Sequence, residues 1–289
     1  MNMNIGIVGP GVVGKAVANG LFERLNPTWE VMKPQNQIIA HDKYHQGIIS
    51  LECGASISCV PLDYLVENSF IIFVSVPTPS GKNGINLEII DSVIEDMVKY
   101  YEKQNFVDVK IVVIKSTVIP GTIDRYNEKY KDTSFEFVFN PEFLRQKYAN
   151  EDFMNQEFIV LGGEPEVCDI VEDLYRKAHF FCPVLKTTPK TAEMVKYYLN
   201  CLEAVKIGFA NEIYDICGEL DINYEEVKNI AVLDSAYSRR HLDITEERGF
   251  GGACLPKDLA ALVGLKKQLG LKSGILESLE KYNRRIRNE

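Results

Sequence analysis

A cysteine, a carboxylate and three glycines fall within ten residues at Gly249-Phe250-Gly251-Gly252-Ala253-Cys254-Leu255-Pro256-Lys257-Asp258. Glycines let a backbone turn tightly and let a ligand approach it closely. Pro256 suits the first position of a helix, where its missing N–H would be an orphan anyway. Cys254 then lies just before a helix N-terminus, whose dipole favours a thiolate. Asp258 follows one helical turn later. The pattern reads as a covalent site with Cys254 as nucleophile. The other reading is a buried cysteine in a turn, with Asp258 as a first-turn carboxylate.

A second pair with chemical potential is Lys196 and Asn200, four residues apart on a helix-patterned run and so on one face. A lysine and an amide there suit a substrate hydroxyl or a developing oxyanion. A solvated lysine and a surface asparagine is the plainer alternative. A third group lies at the other end of the chain. Gly9-Pro10-Gly11-Val12-Val13-Gly14 joins the apolar run 3–8 to the helix-like Lys15–Leu21. G-x-G-x-x-G between strand and helix places a pyrophosphate on the helix N-terminus. Asp42 closes the next strand-like run, with Lys43 beside it. An acid there takes ribose hydroxyls and favours NAD over NADP, whose extra phosphate it repels. Asp42 could also simply end a strand.

These residues need elements to hold them. Strand-like runs follow at Phe70–Val76, Lys110–Lys115, Phe135–Phe139 and Glu157–Leu161, with helical stretches such as Leu87–Lys103 between several of them. Such alternation predicts a parallel sheet with helices on both faces, and ligands at the carboxyl ends of its strands. Three proline-marked motifs fall there: Val76-Pro77-Thr78-Pro79, Ser116-Thr117-Val118-Ile119-Pro120-Gly121-Thr122 and Asn140-Pro141-Glu142-Phe143-Leu144. A helix of about 28 residues begins at Pro189 and runs to about Cys217, with Val195, Leu199, Leu202, Phe209, Ile213 and Ile216 as its apolar stripe. Its length can tie two domains or two subunits together, and the stripe predicts a symmetric dimer. Shorter helices are expected over 224–233, 256–269 and 272–287. The fold class is α/β: a doubly wound dinucleotide-binding sheet over 1–188, then a mostly helical domain, 189–289, built on the long helix.

Composition sets the class. Of 289 residues, 46% are hydrophobic and 25% charged, which is a globular balance. The net charge of −9 offers no general attraction to nucleic acid or to an anionic membrane. The apolar runs are too short to span a bilayer. Seven cysteines, irregularly spaced and without a C-x-x-C pair, point to a reducing, cytoplasmic setting. Four scattered histidines argue against a metal site.

In this order, the segments GPGVVG, VPTP, STVIPGT, NPEFL, TAEMVKYYLNCLEAVKIGFANEI and GFGGACLPKD resemble the UDP-glucose/GDP-mannose dehydrogenase family. The glycine motif is common to many proteins; GFGG-x-C-x-P-K-D together with NPEFL is specific. The resemblance implies a Rossmann-type domain and the oxidation of a sugar-nucleotide C6 alcohol to a carboxylate with two NAD, through a thioester. It implies Cys254 as nucleophile, Lys196 as oxyanion stabiliser, Asn200 on the sugar and Asp258 as a positioning or deprotonating group. Glu142 and Thr117 would handle the hydrolytic water. NAD would lie on Gly9, Gly11, Val12, Val13, Gly14, Asp42, Lys43, Val76, Pro77, Thr78, Ser116 and Thr117. The sugar nucleotide would meet Phe143, Leu144, Arg145, Lys196, Asn200, Phe250, Gly251 and Gly252.

Three departures from the family pattern stand out. Gln146 replaces a glutamate, Arg239-Arg240-His241 has shifted spacing, and the chain stops where a third, nucleotide-holding domain is expected. That leaves an expectation of weak sugar-nucleotide binding and slow or absent turnover by this chain alone, with a separate chain able to supply the missing domain. GDP-mannose stays open as substrate. So do a two-electron β-hydroxyacid dehydrogenase, which has no need of the cysteine loop, and a non-catalytic NAD-binding module.

Overall fold

The structure, a computed structural model, describes residues 4–26, 37–81, 84–233, 241–252, 254–272 and 274–288. Arg239 and Arg240 lie outside them, as does Ala253. Two compact units divide the chain: 1–78 with 86–196, and 79–85 with 197–289.

The first unit is built on a nine-stranded sheet. In chain order its strands are β1 (Ile5–Val8), β2 (Ile38–His41), β3 (Gly47–Ser50), β4 (Ser56–Cys59), β5 (Ile71–Val74), β8 (Lys110–Ile114), β9 (Phe135–Phe139), β10 (Ile159–Gly162) and β11 (Val184–Thr187). Their order across the sheet is β11-β10-β9-β8-β5-β1-β2-β4-β3. The central strands β1, β5 and β8 are parallel and buried at every position. Apart from Lys110 at the start of β8 they carry no polar side chain, because helices cover both faces and leave no solvent side. Successive side chains still point to opposite faces. Ile71 and Phe73 enter one core with α1 (Val12–Leu25), α5 (Ala149–Met154) and α6 (Pro165–Lys177). Ile72 and Val74 enter the other with α2 (Leu62–Asn68), α3 (Glu88–Lys103) and α4 (Thr122–Lys129). Truncating a fully buried residue of this kind, such as Phe73, costs about 3–5 kcal/mol.

The expected parallel sheet needs one correction. β3 pairs antiparallel with β4, and β10 antiparallel with β9. The turn 51–55 explains the first, since a short connection cannot cross over and must reverse the strand.

The second unit holds a two-stranded ribbon, β6 (Ser80–Gly81) with β7 (Gly84–Ile85), and helices α8 (Tyr224–Ala231), α9 (Leu255–Gln268) and α10 (Ile275–Arg287). The long helix α7 (Pro189–Glu219) gives its N-terminal residues, up to Lys196, to the first unit and the remainder to the second. A Cβ at Gly208 would run into Leu279 Cδ1, so the interior glycine of α7 is what lets α10 lie against it. Part of the apolar stripe of α7, expected to form a dimer face, is exposed within this chain. Leu202, Phe209 and Ile216 are 45%, 61% and 49% exposed. The face turned inward instead carries Glu193, Lys196, Asn200, Cys201, Ala204, Gly208 and Asn211. Small and polar residues take the inner side because backbone and hydrogen-bond partners approach there. Among the described residues no helix is long and apolar enough to cross a membrane.

Candidate active site

The glycine turn after β1 is held from both sides. Gly9 donates its N–H to His41 O at 3.0 Å, and Ser75 donates to Val8 O at 2.8 Å. Gly9 has φ +82°, and a Cβ there would lie 2.8 Å from Ser75 O. A Cβ on Gly14 would strike Gly9 O, whereas one on Gly11 would point into open space. Gly11 caps α1 and no side chain closes that turn. The first-turn N–H groups of Val12, Val13 and Gly14 are therefore left to an anion. Asp42 follows β2 and is half-buried, with Lys43 exposed beside it. Its Oδ1 accepts from Tyr44 N–H at 2.7 Å and His45 N–H at 3.0 Å, which fixes the carboxylate at the strand end. A bare turn, an open approach at Gly11 and an acid on the neighbouring strand fit a dinucleotide with free ribose hydroxyls.

The loops after β5, β8 and β9 are tied together. Thr78 donates its hydroxyl to Thr117 O at 2.9 Å, and Ser116 donates to Val76 O at 2.7 Å. Val76, Thr78, Ser116 and Thr117 are buried while Pro77 is exposed. On the adjacent strand end, Glu142 takes its loop into contact with α7. Lys196 Nζ lies 2.9 Å from Glu142 Oε1 and donates to Glu142 O at 2.6 Å. Leu144 N–H donates to Glu142 Oε2 at 2.7 Å. Burial alone pushes the Glu142 carboxyl up, but Lys196, the Leu144 amide and Lys115 together outweigh it and hold the carboxyl below its usual range. Lys196 is not a solvated surface lysine; its side chain is 4% exposed. Phe143 packs on Phe158, with Lys196 Nζ 5.6 Å from its ring centre. Arg145, expected near substrate, turns its guanidinium to Asp152 in a fork, with Nη2–Oδ1 at 2.5 Å.

The cysteine loop lies in the second unit. Cys254 is the exposed N-cap of α9, and Pro256 takes the second helical position. Asp258 donates its backbone N–H to Cys254 O at 2.8 Å, and its carboxylate is buried. Asn200 donates its side-chain amide to Asp258 Oδ2 at 2.5 Å, and Lys257 Nζ lies 3.0 Å from Oδ1. The first unit thus holds one buried polar pair, Lys196 with Glu142, and the second another, Asn200 with Asp258. Burial, with Asp258 adding to it, pushes the neighbouring Cys201 thiol up to about 12, so Cys201 stays a neutral thiol while Cys254 is the exposed sulfur. Gly252, with φ +77°, leaves open space at its Cα. A Cβ on Gly251 would come within 3.0 Å of the Arg287 guanidinium.

Phe250, expected to meet the sugar nucleotide, is buried. Its ring lies in the core with Cys201, Ala204 and Leu259. Its N–H donates to Asn283 Oδ1 at 2.8 Å, and its carbonyl accepts from Asn283 Nδ2 at 2.9 Å. Its side chain and both backbone groups are used in holding the loop to α10. Sequence reading also missed Asn283, Arg287, Lys115 and Glu193. Arg287 donates to Arg248 O at 3.1 Å. Glu193 is buried and accepts from Gly121 N–H at 2.6 Å and Ile123 N–H at 2.9 Å, closing the N-terminus of α4. A lysine straight after the apolar run Ile111–Ile114, and a glutamate on the Lys196 face of one helix, were the available signals.

Residues 60–179 match the NAD binding domain of the UDP-glucose/GDP-mannose dehydrogenase family, and residues 190–285 match its central domain. The chain belongs to that family. It is 34% identical over 229 residues to the UDP-glucose 6-dehydrogenase TuaD of Bacillus subtilis, covering 77% of this chain and 48% of that protein. It is 32% identical over 228 residues to the GDP-mannose 6-dehydrogenase of Pseudomonas aeruginosa, covering 75% and 51%. A UDP-glucose dehydrogenase structure from Pyrobaculum islandicum superposes with a TM-score of 0.83 at 25% identity, covering all of this chain and 68% of that one. The chain spans about half the length of the curated relatives it matches. As a member of the UDP-glucose/GDP-mannose dehydrogenase family, it carries Glu142, Ser116 and Thr117 within the cofactor-domain match, and Lys196, Asn200, Cys254 and Asp258 within the central-domain match.

Proposed function

We propose that this chain carries the chemical centre of an NAD-dependent, four-electron oxidation of a sugar-nucleotide C6 alcohol, with UDP-glucose as substrate and UDP-glucuronate as product. The observation that carries the reading is the pair of buried contacts on successive turns of α7, Lys196 with Glu142 and Asn200 with Asp258, together with an exposed Cys254 at the head of α9. Residues 1–188 would serve the cofactor and residues 189–289 the cysteine chemistry.

NAD, when bound, accepts the hydride released in each of the two oxidations. The chain's own residues do the rest. Gly9, Gly11, Val12, Val13 and Gly14 offer the pyrophosphate a bare helix N-terminus, and Asp42 takes the ribose. After the alcohol has lost a hydride and a proton, the Cys254 sulfur adds to the aldehyde carbon and forms a C–S bond. The Lys196 ammonium stabilises the oxyanion made in that addition. Loss of the second hydride and the hydroxyl proton leaves a thioester at the acid level. Glu142, kept ionised by its cationic neighbours, accepts a proton from the attacking water, with Thr117 on the adjacent strand end. The C–S bond then breaks, and the thiol and the carboxylate part. Asn200 holds the sugar, and Asp258 positions both Asn200 and the start of α9.

A homodimer through the exposed stripe of α7 and a cytoplasmic setting belong to the same proposal. The test is the number of NADH formed per UDP-glucose consumed. Two supports the four-electron reading, one would assign a simple alcohol dehydrogenase, and none a cofactor-binding module.

A further inference from the structure

We infer that Lys115 is a positioning residue for Glu142, holding both the loop that carries this carboxylate and the charge on it. The inference deepens the proposed role of Glu142 and rests on it.

Lys115 directly follows β8, and its backbone N–H donates to Val74 O at 2.8 Å. Its side chain does not reach solvent; the residue is 3% exposed. The ammonium nitrogen donates to Asn140 Oδ1 at 3.1 Å and lies 3.5 Å from Pro141 O. These are the two residues before Glu142, and both acceptors are neutral. Asn140 is itself fixed. Its Oδ1 also accepts from Tyr175 OH at 2.6 Å, and its Nδ2 donates to Val160 O at 2.9 Å. A buried network therefore runs from α6 through Asn140 to the end of β8, and the Glu142 loop rests on it. Lys196 grips the same loop from α7, through both the carboxylate and the carbonyl of Glu142. Glu142 is held between two lysines, one in contact with it and one beneath its loop.

A buried ammonium with neutral acceptors is costly unless charge nearby supports it. Three ionisable groups from three elements decide the balance: Lys115 after β8, Glu142 after β9 and Lys196 on α7. Tyr175 from α6 reaches the cluster through Asn140. Burial is the largest influence on Lys115 and brings it down to about 7; Glu142 raises it and Lys196 lowers it further. The coupling is reciprocal, since Lys115 in turn helps hold Glu142 low.

Two measurements test this. The first follows 13Cε and 15Nζ signals of labelled lysines through a pH titration of the full chain, with and without Glu142→Gln. Lys115 should titrate near neutrality, and its midpoint should fall by about one unit once the carboxylate is gone. An unmoved midpoint overturns the inference, and this outcome does not depend on turnover. The second compares Lys115→Met and Lys115→Arg by NAD affinity and by the pH dependence of kcat/KM for UDP-glucose. The methionine variant should bind NAD normally and shift the acid limb upward by about one unit, and the arginine variant should restore the limb. An equal loss at every pH with the limb in place would show that Lys115 only fills space. If Lys115→Met does not fold, or the wild type does not turn over, the lysine titration decides alone.

Discussion

Replacing Lys196 with methionine tests the electrostatic account of the site most directly. Methionine keeps the apolar stem and removes the ammonium, so packing along α7 changes little. Glu142 loses a partner at 2.9 Å in surroundings where the two side chains are 4% and 10% exposed. Removing one member of a buried pair leaves an uncompensated charge and typically costs about 3–5 kcal/mol. Lys115 and the Leu144 amide remain, and Lys115 loses the repulsion of Lys196. The loss should therefore sit at the lower end, about 3 kcal/mol at pH 8. The pH dependence carries the sign. Glu142 is depressed in the wild type, so its contribution is present above the unfolded value and is lost as pH falls through the folded one. In the variant, burial pushes the carboxyl upward instead. The difference between the two proteins should then shrink to about 1 kcal/mol or less by pH 4, where the variant's Glu142 is protonated. Urea unfolding followed by far-ultraviolet circular dichroism at pH 4, 6 and 8 measures this, provided the denaturant slope is unchanged. A loss that is the same at pH 4 and pH 8 would mean that packing, not charge, governs the site.

Four further outcomes follow from the same structure. Calorimetry should show tighter binding of NAD than of NADP, because Asp42 is fixed at the end of β2; equal affinities would remove it from the cofactor site. Cys254→Ser should leave NAD binding intact and slow the second oxidation or its hydrolysis by orders of magnitude, so unchanged production of the uronic acid by the variant rules out the thioester. Burial pushes Glu193 up to about 7 despite the amides of Ile123 and Gly121, so the folded state holds a proton there that the unfolded chain has released. Stability should fall as pH rises from about 4 through 7, and Glu193→Gln should flatten that slope in thermal scans; an unchanged slope counts against it. Light scattering should find a dimer that Phe209→Lys weakens, whereas a wild-type monomer at all concentrations would leave the α7 stripe without its proposed partner.

The parts legible in the sequence are those in which one short pattern has one physical solution. Ile71-Ile72-Phe73-Val74 can only be a covered central strand, and Gly9 to Gly14 can only turn a strand tightly into a helix. Cys254-Leu255-Pro256 marks a helix start for the same reason, and α9 begins there. Reading failed where a residue's role depends on what distant chain brings to it. The periodicity of α7 showed a helix with Leu202, Phe209 and Ile216 on a dimer face, but it did not mark the side that packs within the chain. The inner face is decided by Leu279 against Gly208 and by Glu142 and Asp258 meeting Lys196 and Asn200, and none of those partners is near in sequence. The family resemblance implied Phe250 as a substrate contact. Asn283, 33 residues away, takes both of its backbone groups. Lys115 was hidden for the opposite reason: a lysine after a strand reads as solvated until Asn140 and Pro141 are seen to enclose it. The common cause is burial of polar groups. An apolar residue announces its burial by type, but a buried lysine, glutamate or asparagine is tolerated only where a specific partner satisfies it, and that partner is set by topology. The proposed chemistry of this chain rests on such residues, and the structure was needed to show which of them pair.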